Sequence, residues 1–323
     1  MLVLIAIAPL AWAVIRQWTD LGKALASVQW AMFGSAVLLL VLLMPVMALT
    51  PWITLRYVGS GLSLGQVFRL YFVSQVAKYL PGGVWAFPGR MVAYRSVGVS
   101  ATYSVVSVVW ETIALFCGAA CVGLLGVSGE LRGAKAVQPV ILVVALAVAA
   151  VLIIGQIPRM ARWLATHDLL RGSTASVLAN ADLERLGVRW FPAALGASVL
   201  FWLLLGIPFR TLLLAAAPAS ETLSWIQAAS MFSLAWCVGF VVIVVPAGLG
   251  IREGMLSLLL SGVLTPAAAI GAALLARVWW MLAEAVWILV ATVWLAREAS
   301  LPWEKKPADS EVPGGGHPTS RPR

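Results

Sequence analysis

Residues 222–251 read TLSWIQAASMFSLAWCVGFVVIVVPAGLGI, with no Lys, Arg, Asp, Glu or His. A helix needs about 20 apolar residues to cross the roughly 30 Å hydrocarbon layer of a bilayer, and this run exceeds that. A soluble core helix of such length would present a polar stripe to water, and none is visible. The run also ends unusually, on Pro246, Ala247, Gly248, Leu249 and Gly250. Proline removes a helix donor there, and glycine opens backbone angles closed to other residues. An apolar span and a break inside apolar sequence are the two properties that decide the fold class.

Working outward, residues 24–55, 136–158 and 190–209 are equally free of charge. The 323-residue chain is 62% hydrophobic and only 11% charged, whereas an average soluble domain is about a quarter charged. Too little polar surface exists to face water on all sides. In lipid, only helices and closed barrels satisfy every backbone group. Barrel strands run about 10 residues with alternating faces, and these runs are continuous and far longer. The expected fold is therefore all-α: a polytopic integral membrane bundle over residues 1–298, followed by a disordered cytoplasmic tail over 299–323. Helices are predicted at 1–15, 31–54, 101–127, 137–156, 191–214, 224–245 and 267–296. The first stretch lacks the basic start of a signal peptide and reads as a short first helix, with a cleaved leader as the alternative. Trp18, Trp30, Trp190, Trp225 and Trp303 fall near predicted helix ends, where aromatic anchors gather.

The net charge of +9 reads as topology, not as a nucleic-acid signal. Arg159, Arg162, Arg171, Arg185 and Arg189 crowd the 157–190 connection, whereas 215–223 has no Lys or Arg. Cytoplasmic loops collect these residues, so the first connection faces the cytoplasm and the second the outside. Counting crossings from there, the tail ends inside only if 224–263 enters from outside and turns back at its break. The same count makes 65–90, broken at Pro81, Gly82 and Gly83, dip in from the cytoplasmic face. Two re-entrant elements entering from opposite faces predict an inverted repeat, a plan common among transporters. Arg90 and Arg252 each follow a break, and a long apolar helix with an embedded charge follows each arginine.

The candidate functional residues are the charges inside apolar surroundings: Arg90, Glu111, Arg252, Glu253, Arg277 and Glu284. A charge at the bilayer centre costs at least about 2.5–3.5 kcal/mol, so each is expected to face a partner or a wet cavity. Arg277 and Glu284 lie almost two turns apart, on one helix face with Trp280 and Trp287. They read either as a polar stripe lining a pathway or as ion pairs inside the bundle, Arg277 with Glu253 and Glu284 with Arg252. Lys78 and Arg95 read as interfacial side chains that snorkel. At the breaks, Pro81, Gly82, Gly83, Pro246, Gly248 and Gly250 read either as tight turns or as helix starts whose freed amides favour an anion.

Several function classes are set aside. No Gly-rich phosphate loop, dinucleotide fingerprint or His-Glu-x-x-His is present. His167 falls in the basic connection and His317 in the tail. Cys117, Cys121 and Cys237 lie in apolar runs and read as packing. No metal, cofactor, enzymatic activity or nucleic-acid partner is expected.

The segments Lys78-Tyr-Leu-Pro-Gly-Gly-Val-Trp85, then Arg90, and Val245-Pro-Ala-Gly-Leu-Gly-Ile-Arg-Glu-Gly254, then Leu275-Ala-Arg277, resemble the lysylphosphatidylglycerol synthase transmembrane region, or flippase-like membrane domain. The likeness covers roughly residues 5–297. It implies a prokaryotic plasma-membrane protein with paired re-entrant elements and a link to lipid translocation. The soluble aminoacyltransferase domain of the synthases has no counterpart here, so synthase activity is not implied. Many members carry an arginine beside the acid of the following helix, where this chain has Thr112 after Glu111, so no local ion pair is expected there.

The leading expectation is a translocator that moves the headgroup of a phospholipid or a polyprenyl-phosphate-linked lipid. Arg90, Arg252 and Arg277 would meet phosphate, while Glu111, Glu253 and Glu284 would balance charge or carry a proton. The alternative is a non-transporting accessory protein of an envelope-synthesis complex, partnered by its enzymes. A membrane enzyme acting on a lipid headgroup is the third.

Overall fold

The structure, a computed structural model, describes residues 15, 18–79, 85–126, 190–241 and 250–300. Every regular element among the described residues is helical. In chain order these are α1 (Trp18–Ala26), α2 (Trp30–Leu43), α3 (Leu49–Tyr57), α4 (Leu64–Ser74), α5 (Ala86–Arg95), α6 (Ala101–Leu125), α7 (Phe191–Ala216), α8 (Trp225–Val241), α9 (Ile251–Leu260) and α10 (Pro266–Ser300). Four stretches are long and apolar enough to cross a bilayer: Trp30–Tyr57, Tyr103–Leu125, Phe191–Ala216 and Pro266–Ala296. The chain is a helical membrane bundle.

The expected helices at 31–54, 101–127, 191–214, 224–245 and 267–296 correspond to α2–α3, α6, α7, α8 and α10. The first of these is not uniform. Between α2 and α3 the chain tightens into a 3-10 turn, Met44–Ala48, where Pro45 has no N–H to give to the ladder. α1 is a helix the apolar pattern did not announce, because Asp20 and Lys23 interrupt it. The predicted helices at 1–15 (save Ile15) and 137–156, the basic 157–190 connection and the tail beyond Ser300 lie outside the described residues. So do Pro81, Gly82, Gly83, Pro246 and Gly248.

What flanks the breaks is described. α4 starts on a capping box: Ser63 Oγ accepts from the Gln66 N–H at 3.3 Å, and Gln66 Oε1 accepts from the Ser63 N–H at 2.9 Å. After Ser74 the chain tightens into a 3-10 turn, Gln75–Tyr79. α9 begins after Gly250, whose φ of 81° is left-handed, and Glu253 accepts the Gly250 N–H at 2.7 Å. With 11 and 10 residues, α4 and α9 each rise about 15 Å, half of the hydrocarbon layer.

α7 is the central helix and packs on α2, α3, α6, α8 and α10. Its Phe201, Trp202, Leu205 and Phe209 are fully buried against Phe232 of α8 and Trp279 and Trp280 of α10. α6 and α8 approach closely because Gly123 leaves no side chain, and a Cβ there would stand 2.8 Å from Leu234. Small residues at such contacts are how helices associate in lipid, where no hydrophobic drive exists between them. Trp279 and Trp287 of α10 donate their indole N–H groups to the Ala36 and Val41 carbonyls of α2, at 2.8 and 2.7 Å. α10 also packs on α4 and α9, and so touches an element beside each break.

Candidate functional site

Apolar helices should meet without leaving polar space. Here they do not. A cavity of about 190 Å³ lies where α3, α4, α5, α6, α8, α9, α10 and the Gln75–Tyr79 turn converge. Its walls are mixed: Phe87, Trp236, Phe240 and Trp280 supply apolar faces, and Lys78, Arg90, Glu111, Arg252, Arg277 and Glu284 supply charge.

Two charge clusters build the polar wall. In the first, Arg90 of α5 donates from Nη1 to Glu111 Oε1 of α6, and their side chains are 10% and 3% exposed. The other Glu111 oxygen accepts the Tyr94 hydroxyl at 3.0 Å. Arg90 Nε donates to Ser74 Oγ at 3.3 Å, and its guanidinium lies 4.2 Å from the Tyr71 ring centre. Every strong group of this cluster is answered from within it, as buried charge requires. The missing arginine beside Glu111 on its own helix is thus supplied across space by Arg90.

The second cluster gathers on α10. Lys78 Nζ donates to Glu284 Oε1, and the Tyr79 hydroxyl donates to Glu284 Oε2 at 2.6 Å. Almost two turns earlier on the same face, Arg277 Nη1 donates to Glu253 Oε1 at 3.3 Å, while Glu253 Oε2 caps Gly250. One long helix therefore holds the Gln75–Tyr79 turn through Glu284 and the start of α9 through Arg277. Arg252 differs from the other cations. Its guanidinium lies between the rings of Phe232 and Trp280, 4.5 and 5.0 Å from their centres. Among the described residues no carboxylate is bonded to it. Lys78, Arg90, Arg252 and Arg277 thus outweigh Glu111, Glu253 and Glu284 by one positive charge.

The space for Arg252 comes from α8. A Cβ on Gly239 would stand 2.9 Å from Arg252 Cβ and 3.4 Å from its Cα. Gly89 plays the matching part beside Arg90, since a Cβ there would stand 2.8 Å from the Cβ of Ala77.

Five of the six expected residues, Arg90, Glu111, Arg252, Arg277 and Glu284, line this one cavity. Glu253 stands behind the wall and positions Arg277. The expected Arg277–Glu253 pair is present, but Glu284 pairs with Lys78 and Tyr79 instead of Arg252. The snorkelling assignment of Lys78 is corrected accordingly: its 3-10 turn aims it inward, where a carboxylate offsets the cost of burying it. Arg95 is exposed, as expected. Trp287 shares a helix face with Arg277 and Glu284 yet packs on Phe68 and Phe72, away from the cavity. The sequence reading missed Lys78 and Tyr79. Their place in apolar sequence immediately before a break was the available signal.

The family model described as Lysylphosphatidylglycerol synthase TM region matches residues 1–295. No match to a curated protein was found.

Proposed function

We propose that this chain, which belongs to the lysylphosphatidylglycerol synthase TM region family, moves an anionic lipid headgroup across the membrane. The substrate class is a phospholipid or a polyprenyl-phosphate-linked lipid, and the setting is a prokaryotic plasma membrane. The headgroup crosses through the cavity while the tails stay in lipid, and the broken elements act as re-entrant halves on either side. The reading assigns no covalent chemistry to the chain.

The observation that carries this reading is Arg252. A guanidinium held in an apolar bundle with no bonded carboxylate among the described residues is costly, and packing alone gives no reason to keep it. A phosphate would supply the missing charge, and the planar guanidinium can meet two of its oxygens at once. Arg252 also stands in the first turn of α9, where the helix dipole favours an anion. The surplus of one positive charge among Lys78, Arg90, Arg252, Arg277, Glu111, Glu253 and Glu284 points the same way.

The test is lipid movement in proteoliposomes holding tail-labelled phosphatidylglycerol, with label reduction from outside as the readout. Arg252→Ala is expected to remove protein-dependent movement while elution and melting stay as in the parent. Full movement by a folded Arg252→Ala protein sinks the assignment. A parent protein that moves no anionic lipid but co-purifies with a lipid- or glycan-modifying enzyme supports the accessory role instead.

A further inference from the structure

The Lys78–Glu284 pair stands at the cavity wall, and its geometry shows more than a tie between helices. Glu284 uses both oxygens, one on the Lys78 ammonium and one on the Tyr79 hydroxyl. Its side chain is 4% exposed and that of Lys78 is 21% exposed, so the lysine is the more open of the two. Both residues line the same space as Arg252. Lys78, Tyr79 and Glu284 all lie within electrostatic range of Arg252. A buried ion pair is a poor way to join two helices, because desolvating both ions offsets most of their attraction. An apolar contact would join α10 to the Gln75–Tyr79 turn at lower cost.

We propose that Glu284 is an internal stand-in for the ligand. Its carboxylate occupies, on Lys78 and Tyr79, the place that two oxygens of one phosphate group take when a headgroup binds. This rests on the translocator reading and names the anion subsite within it. A phosphate offers the same acceptor pair, two oxygens on one atom carrying negative charge. It meets Arg252 first, since among the described residues that cation has no carboxylate to give up. It then takes Lys78 and Tyr79 as Glu284 turns toward the guanidinium of Arg277. The observed affinity is thus the intrinsic affinity of the cations lowered by competition from Glu284. Releasing the ligand needs no outside group, because the carboxylate returns to Lys78.

A purely structural pair and a competing carboxylate predict opposite signs. The probe is dioctanoyl phosphatidylglycerol, titrated calorimetrically into the purified full chain in detergent. Under the proposal Glu284→Gln binds the probe at least about tenfold more tightly than the parent, a gain of about 1.4 kcal/mol. Lys78→Met binds more weakly, and Lys78→Met with Glu284→Gln binds no better than Lys78→Met alone. The double variant matters because removing any acid raises the general attraction for anions, whereas loss of the gain with Lys78 shows that the pair is responsible. If Glu284→Gln does not fold, Glu284→Asp replaces it: one methylene shorter, it cannot hold Lys78 and Tyr79 together, and it too binds more tightly. Inorganic phosphate is titrated in parallel. A gain for the lipid alone assigns the subsite to a headgroup, and an equal gain for both assigns it to the free anion as well.

Unchanged or weaker binding by a folded Glu284 variant overturns the proposal, as does a gain that survives in the Lys78→Met background. These failures differ from failure of the translocator reading. In that case the parent itself neither binds the probe nor moves labelled lipid.

Discussion

Replacing Glu111 with Ala removes the acceptor around which the first charge cluster is built. Glu111 takes a charged hydrogen bond from Arg90 and a neutral one from Tyr94 at 3.0 Å, with its own side chain 3% exposed. Without it Arg90 is left charged in a site that is nine-tenths closed, and the Tyr94 hydroxyl, fully buried, has nowhere to donate. Breaking a buried ion pair from one side costs about 3–5 kcal/mol. Arg90 keeps its bond to Ser74 and its place over the Tyr71 ring, so the lower end, about 3 kcal/mol, is expected. That is somewhat more than a hundredfold in the folding equilibrium, at 1.4 kcal/mol per tenfold. The assay is equilibrium unfolding in mixed micelles of dodecylmaltoside and dodecyl sulfate, followed by tryptophan fluorescence. The decisive companion is the triple variant Arg90→Met, Glu111→Leu, Tyr94→Phe. It removes the charges and the orphaned hydroxyl together and is expected within about 1 kcal/mol of the parent, since apolar replacement of a buried pair is often neutral or better. The reasoning fails if Glu111→Ala unfolds within about 0.5 kcal/mol of the parent, or if the triple variant is as unstable as the single one.

Two further outcomes are expected. Gly239→Ala places a methyl 2.9 Å from Arg252 Cβ and forces α8 and α9 apart, at about 1–3 kcal/mol of overpacking. Binding of phosphatidylglycerol should fall more than Gly254→Ala lowers it, because a Cβ on Gly254 meets nothing within 4 Å. Ser63→Ala removes the capping box of α4 and should cost about 1 kcal/mol in the same unfolding assay, and an unchanged midpoint would contradict the capping role.

The spans were legible because lipid leaves so few options. Long charge-free runs such as 24–55 and 190–209 can only be helices, and they form Trp30–Tyr57 and Phe191–Ala216. Irregularity inside a span was less legible. The 3-10 turn at Met44–Ala48 depends on Pro45, which the apolar pattern treats like any other residue of the run. α1 was missed because a helix of mixed polarity at the start of a bundle carries no long apolar signal. The charges were legible as a set, since an ion inside apolar sequence must be answered by something. Their pairing was not. Glu284 could have met Arg252 from sequence spacing alone, yet it meets Lys78 and Tyr79, more than 200 residues away.

The sequence alone therefore determined that this protein is a helical membrane bundle, where charge-free runs such as 24–55 and 190–209 lie, and which charges fall inside apolar sequence. Local physics suffices for that, because the cost of a bare backbone or a bare ion in lipid is paid residue by residue. Only the tertiary structure decided that the charges converge on one cavity, that Arg90 has a carboxylate partner while Arg252 has none among the described residues, and that α10 ties the Gln75–Tyr79 turn to the start of α9. These depend on how closely helices approach, through Gly239 and Gly89, and on which side of a short 3-10 turn Lys78 emerges. Such contacts join residues far apart in the chain, and no window of sequence contains both partners.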